Sequence, residues 1–450
     1  MKTFPADPGA GWSDAPSTPE PRVGALVEHI FRRESGRLVA ILARRLGSEH
    51  LHLAEDAVQD ALLKAMQAWT FHGIPPNPTA WLLQVARNRA IDQTRRAQVF
   101  RGKEDEIVSL VEEAAGDALA VAPPRFEEEI GDNQLRMMFV CCHPGIAPEG
   151  KVALVLRTLC GFGEREIAAA FLISEAAASK RLVRARQFLR ETGVSFDLPG
   201  PGELAARVDA VLQALYLLFN EGYKASHGDS LLRADLCEQS VRLCELLVAS
   251  PAGDRTAAWA LLALMHFGVA RLPARVAPDG NMLLLAEQDR SLWDSARIRR
   301  GVACLERSGH GDEVSKYHLE AGIAFFHCMA RDFRGTNWKE ILALYDMLVA
   351  VDDSPVVGLN RAVALAMVEG PEAGLDAITR LPRAGALAGY HLFHAVSAQL
   401  QSEAGMREAA SASFLRALEL AGNETEREFL RRRLEALDAA DGRPDDSRSH

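Results

Sequence analysis

An all-α protein of several domains is what this sequence predicts, on three observations. The chain has 450 residues, about three times the usual domain length, so two or three domains with their own cores are expected. Aromatic residues make up 6% against a hydrophobic share of 48%, and Ala and Leu dominate, which favours helices packed on helices over sheets rich in β-branched residues. Apolar residues also recur at three- and four-residue spacing through most of the chain. Composition limits function as well. A net charge of −10 excludes a protein that coats nucleic acid or membrane indiscriminately, because such binding needs a broad basic surface. Seven cysteines, an odd number scattered over a long chain, do not read as a disulfide framework and fit a reducing cytoplasm. No uninterrupted apolar run of spanning length stands out, so the chain reads as cytoplasmic, with no membrane partner.

Residues 1–22 are rich in Pro, Gly, Ser and Asp and read as a disordered lead. A helical domain is expected over 23–97, with inward positions Val27, Ile30 and Phe31, then Ala57, Ala61, Leu62 and Ala65, then Trp81, Leu82, Val85 and Ala86. "HGIPPNPTA" (His72 to Ala80) interrupts it, since three prolines forbid helix, and Thr79 is the expected cap of the helix that begins near Trp81. Residues 98–132 carry Arg101, Lys103 and Arg125 against ten acids and read as an acidic linker with some local helix. Helical periodicity returns over 133–195, broken at "CCHPGIAP" and "GFG". "LPGPGE" (Leu198 to Glu203) marks a boundary. Helical segments then fill 203–437. "LNRAVALAM" (Leu359 to Met367) aligns with "LFHAVSAQL" (Leu392 to Leu400) at an offset of 33, with small residues at Ala362, Ala364, Ala395 and Ala398, which predicts a tetratricopeptide-like array of helical hairpins. "WKEILALY" (Trp338 to Tyr345) resembles the first-helix pattern of such a repeat. Residues 438–450 are expected to be a disordered tail.

Positive charge is concentrated in two places. In "EIAAAFLISEAAASKRLVRARQFLR" (Glu166 to Arg190), a short helix with Ile167, Ala168 and Phe171 inward is followed by a break at Ile173–Ser174. A second helix follows, capped by Ser174 and buried along Leu182, Ala185 and Leu189. This is a helix-turn-helix pattern, whose second helix enters the major groove. Glu175, Ala177, Ala178, Ser179 and Lys180 then lie near base edges, and Arg181 and Arg184 near phosphates. The plainer reading is a solvated basic face on a packed helix; the turn and the cap weigh against it. The second cluster, "RNRAIDQTRR" (Arg87 to Arg96), rides on the helix after the proline loop. Two basic helices separated by an acidic linker suit a protein that touches DNA at two places.

"AEDAVQDALLKAMQAW", then "NPTAWLLQVARNRAIDQTRR", a linker, and "EIAAAFLISEAAASKRLVRAR" resemble regions 2 and 4 of the extracytoplasmic-function sigma factors of bacterial RNA polymerase, over about residues 23–193. The remainder, with "LYLLFNEGY", "AEQDRSLWD" and "GLNRAVALAMVEGPEAGL", is similar to the subgroup with a C-terminal tetratricopeptide-like extension. The resemblance implies core RNA polymerase, through its largest-subunit clamp and its flap, and promoter DNA as partners. It places Asp56, Gln59 and Asp60 at the polymerase interface. It also implies that Asn77, Asn88, Arg89, Asp92, Arg95 and Arg96 read a melted −10 element and that Glu175 to Arg186 reads a duplex −35 element. Ala176 to Ala178 depart from what base readout wants, because small apolar side chains make no bidentate contacts, so DNA shape and Lys180 would carry more of the readout. The C-terminal repeats are expected to modulate activity and to offer a surface to a protein partner.

Other readings weigh less. "CCHP" (Cys141 to Pro144) with Cys160 fits no usual structural-zinc spacing. In "FNEGYKASHGDS" (Phe219 to Ser230), Asn220, Glu221, Tyr223, His227 and Asp229 gather without a phosphate loop, nucleophile elbow or paired carboxylates, and Gly222 as a helix cap explains part of the cluster. No enzyme activity, cofactor or metal is expected. The alternative function is a stand-alone helix-turn-helix regulator with the repeats as sensor; sequence-specific duplex binding without polymerase separates it from a sigma factor. A third reading is a scaffold whose basic helices bind acidic protein partners.

Overall fold

A computed structural model of the protein describes residues 21–99, 124–170, 173–223, 233–277, 283–311, 313–382, 384–422 and 424–439. The fold is all-α, with 18 helices and no strands among the described residues. It separates into two compact units, one covering 1–46 and 50–121 and the other 47–49 and 122–450.

The first unit is built on α1 (Pro21–Leu46), α2 (Leu51–His72) and α3 (Pro78–Val99), each packed on the other two. Its core follows the expected periodicity: Ala57, Ala61, Leu62 and Ala65 of α2 and Leu82, Ala86 and Ala90 of α3 are buried, and Trp69 meets Trp81 with ring centroids 5.5 Å apart. The cap of α3 is Asn77 rather than the expected Thr79: Asn77 Oδ1 accepts from Ala80 N at 3.0 Å. Pro78, whose missing N–H costs nothing at a helix start, sets that start one position before Thr79.

The second unit begins with α4 (Pro124–Cys141), α5 (Pro148–Cys160), α6 (Glu164–Ala170) and α7 (Glu175–Thr192). The breaks fall where the sequence places them. Gly161 takes the left-handed conformation (φ 72°) that ends α5 and turns the chain into α6. The expected linker over 98–132 is only partly described; α3 reaches Val99, α4 takes up its last residues, and 100–123 lie outside the described residues, as do the expected lead up to residue 20 and the tail from 440.

Residues on both sides of the Pro/Gly-rich boundary belong to this one unit. Helices α8 (Pro201–Tyr223) and α9 (Ala234–Val248) pack on α4, and α8 also packs on α5. Buried Arg207 donates to Phe139 O at 2.9 Å, and Arg242 donates to Gln134 Oε1 at 2.8 Å. The Arg233 guanidinium lies 5.4 Å from the Phe162 ring centroid. Gly222 does not cap α8, which continues to Tyr223. It lets α9 approach: a Cβ there would sit 2.9 Å from both Arg233 O and Cys237 N. His227 and Asp229 lie outside the described residues.

Helix α10 (Thr256–Arg271) is the apolar centre of this region, with Leu261, Leu262, Met265 and Phe267 buried against α8, α9, α11 (Ser295–Ser308) and α12 (Lys316–Met329). Thr256–Ala274 is long and apolar enough to cross a membrane by composition, counter to the sequence expectation of no such run, and its burial among four helices makes it a core helix. The motif "AEQDRSLWD" is structural: Asp289 and Asp294 cap the turn Arg290–Leu292 and α11 respectively, and Arg290 stacks 4.7 Å from the Trp293 ring centroid.

Helices α13 (Trp338–Val351), α14 (Pro355–Glu369), α15 (Pro371–Thr379), α16 (His391–Glu403), α17 (Arg407–Leu420) and α18 (Glu424–Ala439) follow in a row, each packed on the next. The hairpins α14/α15 and α16/α17 repeat at 36 residues, Pro355 to His391 and Pro371 to Arg407, and not at 33. This register pairs buried Ala362 with buried Ala398 and Ile378 with Phe414; the turn Ala384–Leu387 supplies the extra length. Counting back, α13 takes the second-helix place of an earlier pair and not the first.

Gly222→Ala is expected to destabilise the second unit by about 1–3 kcal/mol, because two backbone atoms of α9 must retreat; urea denaturation followed by tryptophan fluorescence measures it.

Candidate nucleic-acid interface

Helix α7 is positioned by its apolar stripe. Ala178, Leu182, Ala185 and Leu189 are buried against α5 and α6, Ser174 Oγ accepts from Ala177 N at 3.2 Å, and Gly193 closes the helix in the left-handed region. Ile167 and Ala168 of α6 are buried as expected; Phe171 lies outside the described residues. At 100° per residue, burial of this stripe turns the opposite face outward. Ala176, Lys180, Val183, Arg184 and Gln187 are exposed there, and Glu175, in phase with the buried stripe, is exposed in the first turn of the helix.

Two expectations change. Ala178 has no exposed surface and faces the core, so it is withdrawn as a base contact. Ala177, Ser179 and Arg181 are half-buried at the edge of the face. The sequence reading missed Val183, 55% exposed between Lys180 and Arg184. Its signal was available: a β-branched apolar residue directly after Leu182, out of phase with the buried stripe.

In the first unit, Asp56 is exposed on α2 and Gln59 and Asp60 are half-buried. Leu63 (59% exposed) and Met66 (47%) continue that face by helical spacing, and Phe71 (83%) and Ile74 follow at the end of α2 and in the proline loop. On α3, Asn88 and Asp92 are exposed, and Asn88 Oδ1 accepts from Gln84 Nε2 at 3.2 Å. Arg95 and Arg96 ride on the last part of α3. The structure brings together two residues that the sequence assigned to different partners: Arg89 Nε donates to Asp60 Oδ2 at 2.5 Å, tying α3 to α2. Asn77 caps α3 through Oδ1, which leaves its side-chain NH2 as the group that can donate elsewhere.

The cysteines lie inside the fold. All seven are buried, and burial pushes the thiols of Cys142 and Cys160 up to about 12. A protonated thiol is a poor nucleophile and a poor metal ligand. Among the described residues, no group of three or more His, Cys, Asp or Glu is placed to hold a metal ion.

Residues 30–99 match sigma-70 region 2, and residues 207–309 match a family of unknown function (DUF6596). The chain is 36% identical over 395 residues to an uncharacterized protein, R00370, of Rhizobium meliloti (strain 1021), an alignment covering 87% of this chain and 91% of that protein. It is 29% identical over 205 residues to the ECF RNA polymerase sigma factor SigG of Mycobacterium tuberculosis, in both strain CDC 1551 / Oshkosh and strain ATCC 25618 / H37Rv. That alignment covers 41% of this chain and about half, 54%, of SigG. No solved structure matches. The chain belongs to one family with R00370, and its region 2, with the similarity to SigG, supports a sigma-70 family sigma factor.

Ser174→Ala is expected to cost about 1 kcal/mol at the start of α7, seen as faster hydrogen exchange of the Ala177 amide with the rest of α7 little changed.

Proposed function

We propose that this chain is an alternative sigma factor of the extracytoplasmic-function type, which binds core RNA polymerase, directs it to a promoter, and is modulated by its C-terminal helical domain. One observation carries the reading. The sigma-70 region 2 match falls on α1–α3, and further along the same chain stands a capped helix, α7, with an outward basic face.

In this reading the α2 face of Asp56, Gln59 and Asp60 meets the polymerase clamp, with Leu63 and Met66 supplying the apolar contact area that an interface core needs. Charged and apolar neighbours on one exposed helix face favour a protein partner. The proline loop and α3 take the −10 element. Phe71 offers an exposed ring on which an unstacked base can lie, worth roughly 1–3 kcal/mol per base. Asn88, Asp92, Arg95 and Arg96 supply polar edges and backbone charge. Arg89 acts through its ion pair to Asp60, which holds the two helices in register.

The −35 duplex is read by α7. Glu175, Ala177, Ser179 and Lys180 lie toward base edges, Arg181 and Arg184 toward phosphates, and Val183 is placed for apolar contact with a thymine methyl. No step of this activity is a reaction, and the sigma-70 family is not an enzyme family. The C-terminal helices pack on α4 and α5, away from the outward face of α7. That arrangement supports modulation through the mounting of the reading helix rather than by covering it.

Co-elution with purified bacterial core polymerase tests the reading. The full chain is expected to co-elute, and Leu63→Glu, a change at an exposed position with little effect on stability, is expected to weaken the complex at least tenfold. Absence of the complex in the unsubstituted chain contradicts the proposal.

A further inference from the structure

Helices α12, α14, α16 and α18 each contribute wall to one cavity of about 390 Å³, and α13 adds Trp338 and Tyr345. The remaining wall comes from Phe333, between α12 and α13, and from Leu284, Leu285 and Ala286, a segment outside all of these helices. That segment is fastened at several points. Leu283 N donates to Arg275 O at 2.9 Å, and Leu284 N donates to the Glu287 carboxylate at 2.8 Å. Glu287 lies 3.9 Å from the Arg433 guanidinium of α18, and Arg290 Nη1 donates to His327 O and Ala330 O at the end of α12. The hollow is therefore closed along part of its length by the protein's own chain. Its size falls in the range of about 300–1,000 Å³ that suits one small molecule, and the fixed segment occupies wall along which an extended peptide would have to run.

The lining indicates the ligand. Aromatic and aliphatic side chains dominate, among them Phe333, Trp338, Tyr345, Val363 and Val396. Arg433, the one cation of the wall, donates to Gln399 Oε1 at 2.8 Å and lies 3.9 Å from Glu287, and Glu403 accepts from Gln399 Nε2 at 2.6 Å. His327 is neutral at physiological pH, because burial and then the Arg271 and Arg290 charges lower its pKa to about 3. An anionic ligand would find the wall's one cation already facing a carboxylate.

We infer that this cavity binds a largely aromatic small molecule without an anionic group, which gives the C-terminal unit a ligand site of its own. The inference does not depend on the polymerase reading.

Nile red, a neutral fused aromatic carrying a carbonyl, is the probe. Titrated with the full chain, it is expected to bind saturably at one site with a blue-shifted emission. Val363→Trp, which fills the cavity from α14, is expected to weaken binding at least tenfold while the thermal unfolding of the chain stays in place. Should that variant fold poorly, Val396→Trp fills the same space from α16. Non-saturable binding, more than one site per chain, displacement only by an extended peptide, or undiminished affinity in a folded filled variant would overturn the inference.

Discussion

The promoter reading proposed for the second unit depends on the burial of one stripe on α7. Ala178, Leu182, Ala185 and Leu189 bury their side chains against α5 and α6, and a helix has no freedom to rotate once such a stripe is packed. The same packing therefore decides that Lys180, Val183, Arg184 and Gln187 stand outside. The helices behind α7 are themselves held from the other side. Arg207 is buried, and a buried guanidinium needs partners; Phe139 O and the Glu203 carboxylate accept from its two terminal nitrogens. The C-terminal helices and the basic helix thus share one folded body, and a change in one can reach the other through α4 and α5 without any direct contact at the outward face.

The first unit solves a different problem. The described part of the first unit is three packed helices with Trp69 against Trp81 beside the proline loop, and α2 presents carboxylates and large apolar side chains together. Leu63, Met66 and Phe71 are the kind of exposed apolar group that a partner covers. The Arg89–Asp60 pair is about one-third exposed on each side, so its contribution to stability is small and screened. Its use is geometric, since it keeps the helix with the basic cluster aligned to the helix with the acidic face.

The buried positions of α2, α3 and α7 were legible because each follows a 3.6-residue period that packing enforces over several turns. The Ser174 cap was legible because a serine stands directly before a run of helix formers. Elsewhere local signals competed. Thr79 lost the capping place to Asn77 because Pro78 makes a favourable first helical residue, and Gly222 serves a close helix approach that no single-helix pattern announces. Ala178 looked available for DNA only while α7 was considered alone. The repeat offset was short by three because the small residues at Ala362 and Ala395 also align, and only the fold shows that Ala398 is the buried counterpart. The C-terminal cavity was not legible at all, since its wall is assembled from five helices and a separate segment spread over some 150 residues.

The central claim is that this chain gives core polymerase a promoter. The direct measurement is transcription from a pool of promoter fragments by purified bacterial core polymerase, with and without the protein. The account predicts initiation that requires the protein and occurs only at fragments sharing one −10/−35 pair. Binding of the protein to those fragments as duplex DNA on its own, with no added initiation by core polymerase, would contradict it.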